Sequence, residues 1–234
     1  MKVGLVGIGR MGRVLAGLLA GQVDLVIFDR NIEKVEKAAE EISVSTVGSL
    51  GEMAELGIVI LALPDPEVVS CIKVFNDIGK NVTVINIATN ASQDMLNSIA
   101  DSHVKCICAK FIGHAGEIAL GHSPVIIVNQ FPVELVAQTV EIFQLVGQVI
   151  IGKADLVYTI NTVAAQKAIE AGMAIEEVLK QKGISDPGII KNAIGQVAAG
   201  VMKSYADGTL GPFAREIVQS VKHKNETKAC NFCV

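Results

Sequence analysis

The chain has no tryptophan, two tyrosines and seven phenylalanines among its 234 residues. Its core must therefore be built from aliphatic side chains, and half of all residues are hydrophobic. Charge is scarce as well: Asp, Glu, Lys and Arg make up 19% of the chain. That balance excludes intrinsic disorder, which needs low hydrophobicity together with high charge. Long apolar runs are missing too. The longest, Ile58 to Leu63 and Pro124 to Val128, are strand-sized and far below the roughly 18 residues that span a bilayer. No excess of positive charge exists; the formal net charge is −4, which argues against a nucleic-acid-binding face. Lys2 precedes an apolar stretch, but Gly7, Gly9, Arg10, Gly12 and Arg13 interrupt it, so a secretory leader is rejected and a cytoplasmic protein is expected. The five cysteines, Cys71, Cys106, Cys108, Cys230 and Cys233, are odd in number and read as reduced thiols. Cys230 and Cys233 have C-x-x-C spacing but lie in a polar end segment, residues 223–234, without a second ligand pair. They read as a loosely held tail, and no metal site is expected.

What is present is an alternation. Short β-branched runs at Val3–Val6, Val23–Phe28, Val44–Val47, Ile58–Leu63 and Val82–Ile87 read as strands. Helical patterns at Met11–Ala20, Ile32–Glu41 and Glu67–Phe75 separate them. Nearly continuous Val/Ile/Leu strands divided by helices predict a parallel sheet covered on both faces. Val104–Cys108, Val125–Val128 and Val149–Ile151 extend it. After Gly152 only helical spacing remains: Ala154–Ala171, Ile175–Lys182 and Pro187–Ala206, with Pro187 suited to a first helical position. The expected architecture is an α/β domain over residues 1–152 and an all-helical domain over 153–222.

One motif carries chemistry. Gly7-Ile8-Gly9-Arg10-Met11-Gly12 follows a predicted strand and opens a predicted helix, and the next strand ends in Asp29. This is the context in which G-x-G-x-x-G binds a dinucleotide. Gly7 makes the tight turn, Gly9 admits the pyrophosphate and Gly12 lets the helix pack closely. The N–H groups at Arg10 and Met11 and the helix dipole hold the phosphates. Asp29 is placed for the adenosine ribose hydroxyls and favours NAD over NADP. Arg30 follows at once, either as a 2′-phosphate ligand or as a solvated turn residue.

In such a sheet ligands sit beyond the carboxyl ends of the strands. Leu63-Pro64-Asp65-Pro66 and Ala88-Thr89-Asn90 are therefore expected along the cofactor path. Ala109 to His114 is expected as a third loop there. In it Lys110 and His114 are candidates to bind a carboxylate or donate a proton, or else a solvated charge and a turn residue. Tyr158, Thr159, Asn161, Thr162 and Gln166 place polar groups along a later helix, either facing a cleft or satisfied locally.

The stretches VGLVGIGRMG, VILALPDPEVV and VTVINIATN resemble the dinucleotide domain of pyrroline-5-carboxylate reductases. They are also similar to the wider group of deazaflavin-dependent NADP oxidoreductases, prephenate dehydrogenases and β-hydroxyacid dehydrogenases. The run from Asp186 to Ile217 resembles the helical domain of the pyrroline-5-carboxylate reductase branch. The resemblance implies an NAD(P)-dependent oxidoreductase passing a hydride between nicotinamide and a small imine or carbonyl substrate. It also implies a homodimer through the C-terminal helices. The proline-glycine-glycine-threonine loop of that branch is not matched. Gly208-Thr209-Leu210-Gly211-Pro212-Phe213 stands near its place, with Thr209 as the positional counterpart and Arg215 close by. Alternatives are a dinucleotide-sensing protein without catalysis and a prephenate- or hydroxyacid-type dehydrogenase.

Overall fold

The computed structural model describes residues 1–230. Its first element, β1 (Lys2–Val6), is followed by α1 (Arg10–Leu19), β2 (Asp24–Phe28), α2 (Ile32–Ile42), β3 (Ser45–Thr46), α3 (Leu50–Glu55) and β4 (Ile58–Leu61). Then come α4 (Asp65–Ile78), β5 (Val82–Asn86), α5 (Gln93–Ile99), β6 (Val104–Ile112), α6 (Ala115–Ala119), β7 (Val125–Asn129), α7 (Val133–Gln144) and β8 (Gln148–Gly152). All eight strands form one sheet in the order β3-β2-β1-β4-β5-β6-β7-β8. The order reverses between β1 and β4, which is where a crevice opens above the strand ends.

The sheet is buried on both sides because strand side chains alternate between its faces. On one face Leu5, Ile27, Ile60, Ile85 and Ile107 pack with Leu15 and Leu19 of α1 and with Ile142 and Phe143 of α7. On the other Val59, Leu61, Val84 and Cys106 pack with Met53 of α3, Val68, Ile72 and Phe75 of α4, and Leu96 of α5. Each fully buried branched side chain contributes roughly 1.5–3 kcal/mol, so the scarcity of rings is made good by numbers.

The sheet is mostly parallel rather than wholly so. The strand expected to end at Cys108 continues to Ile112 and is shared between two neighbours. Val104 to Cys108 pair parallel with β5, and Ala109 to Ile112 pair antiparallel with β7. The predicted loop from Ala109 is therefore strand as far as Ile112. An antiparallel neighbour needs no crossover helix, and only Gly113 to Pro124, with the short α6, separate the two strands.

The chain divides into two compact units, Met1–Val163 and the residues from Ala164 onward. The two helices expected over Ala154–Ala171 and Ile175–Lys182 are one, α8 (Leu156–Gln181). Gly172 in its interior lowers propensity without breaking it, and the next helix breaker is Gly183, at φ +82°. In the second unit α9 (Pro187–Asn192) starts on Pro187, with the Asp186 side chain accepting from Ile189 N–H. It runs through a π-helical turn at Ala193–Ala198 into α10 (Ala199–Ala206). The last helix is α11 (Pro212–Cys230), and Cys233 lies outside the described residues. Among the described residues no helix is long and apolar enough to cross a membrane.

Candidate functional site

The three glycines of the N-terminal turn do three different things. Gly7 has φ +97°, and a Cβ on it would lie 2.6 Å from the Ala62 carbonyl oxygen. A Cβ on Gly12 would lie 1.9 Å from the Gly7 carbonyl oxygen, so α1 can approach the turn only through a glycine. Around Gly9 a Cβ would meet no protein atom within 4 Å. Two of the glycines are thus required by the protein itself, and the third faces open space.

That space is bordered by α1's unpaired donors. The N–H groups of Gly9, Arg10 and Met11 have no acceptor among the described residues, as the start of a helix leaves them. The Ile8 N–H is taken instead by Asp29, whose Oδ2 accepts it at 2.7 Å while Oδ1 accepts from Asn31 N–H at 3.0 Å. Asp29 therefore fixes the turn from the end of β2, a role the sequence reading did not give it. Each of its oxygens retains a further lone pair for a ribose hydroxyl.

Two cavities flank the turn. One, of about 580 Å³, is lined by Gly7, Gly9, Asp29, Arg30, Asn31, Lys34, Leu63, Pro64 and Glu67. The other, of about 380 Å³, is lined by Met11, Leu63, Pro64, Asp65, Ala88, Thr89, Phe111, Gly113 and Asn161. Ala62, Leu63 and Pro64 border both. Sharing that wall, the two make one trough across the strand ends at the switch point, with Gly9 on the border of its larger part. Its dimensions lie in the range of cofactor sites.

The sequence-predicted cofactor residues Gly7, Gly9, Met11, Asp29, Arg30, Leu63, Pro64 and Ala88 all line this trough. Ile8 is buried and contributes its backbone to the turn. Arg10 and Gly12 open α1 beside it. The predicted substrate-contact residues are placed differently. Lys110 lies in mid-strand with its side chain 1% exposed, and Nζ forms an ion pair with Asp155 at 2.6 Å. The same ammonium donates to the Thr89 carbonyl at 3.0 Å. It is neither a solvated strand-end charge nor a cavity-facing group, because the antiparallel extension of β6 buries it. His114 precedes α6 as an exposed residue outside the cavity lining. Thr209 and Arg215 belong to the second unit, where Thr209 donates its backbone N–H to Ser204 O at 2.8 Å and Arg215 Nε donates to Leu210 O at 2.7 Å.

Asn161 does reach the smaller cavity. Its Nδ2 donates to the Phe111 carbonyl at 2.9 Å, which leaves Oδ1 directed by an anchored amide. Phe111 and Gly113, both within the expected third loop, do line this cavity, Phe111 from the end of β6 and Gly113 just beyond it. Asp65 is the ionisable side chain of this cavity, and its Oδ1 accepts from Ala91 N–H at 2.9 Å. Cysteine chemistry has no place here. Burial pushes the Cys71 and Cys106 thiols up to about 12 and the Cys108 thiol up to about 11, so none is a thiolate near neutrality. Among the described residues no cluster of His, Cys, Asp and Glu is arranged to hold a metal.

Residues 2–90 match the family described as NADP oxidoreductase, coenzyme F420-dependent. Solved structures extend the likeness to the whole chain. A pyrroline-5-carboxylate reductase from Coxiella burnetii superposes with TM-score 0.71 at 15% identity, over 98% of this chain and 91% of that one. A Plasmodium falciparum pyrroline carboxylate reductase with NADP bound gives 0.63 at 17% identity, over 98% and 92%. An imine reductase from Myxococcus stipitatus in complex with NAD+ gives 0.64 at 10%, over 88% and 77%. No curated protein matches significantly. The resemblance drawn from the sequence is borne out at the level of fold, in both the dinucleotide unit and the helical part.

Proposed function

We propose that the protein is an NAD(P)-dependent oxidoreductase that moves a hydride between nicotinamide C4 and a small imine or carbonyl compound. The observation that carries this reading is the trough itself. Asp29 lines its larger cavity and Asn161 its smaller one, and Gly9, open on one side and next to the unpaired N–H groups of α1, borders the larger. The residues of the larger cavity would hold adenosine, the α1 N-terminus the pyrophosphate, and the residues of the smaller cavity the nicotinamide. The bound dinucleotide supplies the hydride; the chain binds, orients and excludes water.

In this arrangement the Met11, Ala88 and Phe111 side of the cavity holds the ring by apolar contact. Asn161 Oδ1 accepts from the carboxamide N–H2 or from a substrate N–H. The Asp65 carboxylate stabilises positive charge and so favours a cationic iminium over a neutral carbonyl. Lys110 acts through Thr89, whose carbonyl it holds, as a positioning residue rather than as a proton donor. The similarity to pyrroline-5-carboxylate and imine reductases supports the same substrate class. The test is oxidation of NADH and NADPH in the presence of cyclic imines, and separately of oxo acids. Turnover with an imine at a rate well above background supports the reading. Tight dinucleotide binding without turnover of any substrate favours the sensing protein instead.

Two copies of the chain form the working unit. Ile169 and Met173 of α8, and Val197, Tyr205 and Phe213 further on, are large apolar side chains more than half exposed. A two-fold contact through these helices would bury such side chains on both copies. Light scattering at micromolar concentration is expected to give twice the 24.6 kDa of one chain; a monomer refutes the dimer.

A further inference from the structure

Both cations that line the larger cavity already have carboxylate partners. Arg30, two residues beyond β2, reaches across to Glu67 in the first turn of α4, with Nη2 at 2.7 Å from Oε1. Lys34 Nζ lies 4.0 Å from Asp29 Oδ2. Arg30, Lys34, Asp29 and Glu67 all border this one cavity, and their formal charges cancel.

A 2′-phosphate brings nearly two negative charges and needs a free cation beside the ribose. Arg30 is the one side chain with the fork geometry to grip it, and Glu67 holds that fork. We infer that Glu67 is a specificity-determining residue: by engaging Arg30 and adding a second carboxylate to the adenosine end, it sets the preference for NADH over NADPH together with Asp29. The inference rests on the proposed dinucleotide function and goes beyond it, since Glu67 belongs to neither the glycine turn nor the acid after β2. The pair is exposed on its arginine side, so it can be overcome at modest cost, and the choice it enforces is graded rather than absolute.

The experiment is calorimetric titration of the full chain with NADH and with NADPH, because a protein without tryptophan offers little intrinsic fluorescence to quench. In Glu67→Gln, which keeps the size and helical position, the ratio of NADPH to NADH affinity is expected to rise about fivefold, the weight of one well-placed exposed ion pair. Adding Arg30→Gln should cancel that gain, because the phosphate ligand is then gone. An unchanged ratio in Glu67→Gln, or a gain that survives Arg30→Gln, overturns the role of Glu67 and leaves the dinucleotide reading standing. A wild type that already prefers NADPH overturns it as well. A wild type that binds neither dinucleotide removes the cavity assignment itself, and this inference with it.

Discussion

Replacing Gly9 with valine is expected to abolish dinucleotide binding while leaving the fold in place. The two halves of that expectation have separate physical grounds. Gly9 has extended backbone, φ −73° and ψ −166°, which valine adopts without strain, and no protein atom stands within 4 Å of the new Cβ. The protein therefore loses only the helix-cap advantage of glycine over valine, about 1 kcal/mol. The ligand loses far more. The isopropyl group occupies the space in front of Arg10 and Met11 N–H, and two charge-assisted hydrogen bonds of roughly 1.5 kcal/mol each amount to at least about a hundredfold in affinity. Calorimetric titration with NADH, beside a thermal melt of the same sample, measures both halves. Binding within tenfold of wild type would remove the pyrophosphate from this turn. A collapsed melt would mean that Gly9 is structural like its neighbours. Gly7 and Gly12 cannot serve for this test, because a side chain at either collides with backbone whether or not a ligand is present.

The glycine turn and the acid that fixes it were legible because their parts are local and obligatory. A strand, a glycine turn, a helix and an acid after the next strand can be read in one window, and each glycine has a steric reason to be there. The five strands of the first half, Val3 to Ile87, are found at their expected places to within a few residues. What could not be read is pairing. Nothing in Val104 to Ile112 states that the strand changes neighbours at Cys108, because an apolar strand buried on both faces looks the same beside a parallel or an antiparallel partner. That one unread fact displaced Lys110 from an expected loop into the interior and made Phe111 a strand residue on the cavity wall. The unpredicted helices have simpler causes. α3, α5 and α6 are five to seven residues long, too short for helical periodicity to register, although Ser49 and Ser92 cap two of them. α7 carries Val133, Val136, Thr139 and Val140, whose β-branching weighs against helix locally and is overridden by packing of Leu135, Ile142 and Phe143 on the sheet. Likewise Asp29 accepting from Ile8 N–H joins residues 21 positions apart and follows from strand register, not from spacing.

Neutralising Asp155 should destabilise the first unit more than removing Lys110, although the two form one ion pair. The asymmetry follows from burial. Lys110 is 1% exposed and Asp155 28% exposed, so water can reach the carboxylate but not the ammonium. In Asp155→Asn the ammonium stays interior with two neutral oxygen partners at best, Thr89 O and the new amide. Breaking a buried pair in this way costs about 3 kcal/mol or more. In Lys110→Met a side chain of similar length fills the channel, and Asp155 turns to solvent while keeping its bond from Gln93 N–H at 3.3 Å. A loss of about 1–2 kcal/mol is expected there, the size of an unmade hydrogen bond. Combining Lys110→Met with Asp155→Leu should recover much of the Asp155→Asn loss, since a packed apolar pair often equals a buried ionic one. Urea unfolding followed by far-ultraviolet circular dichroism orders the three variants. The function should follow the geometry: the pair ties β6 to Thr89, to the start of α5 and to the entry of α8, so losing it loosens a wall of the smaller cavity. Asp155→Asn is then expected to raise KM for the dinucleotide more than it lowers kcat. Equal stability losses in the two single variants would mean that water reaches Lys110, and the ammonium would return as a candidate for direct contact with substrate.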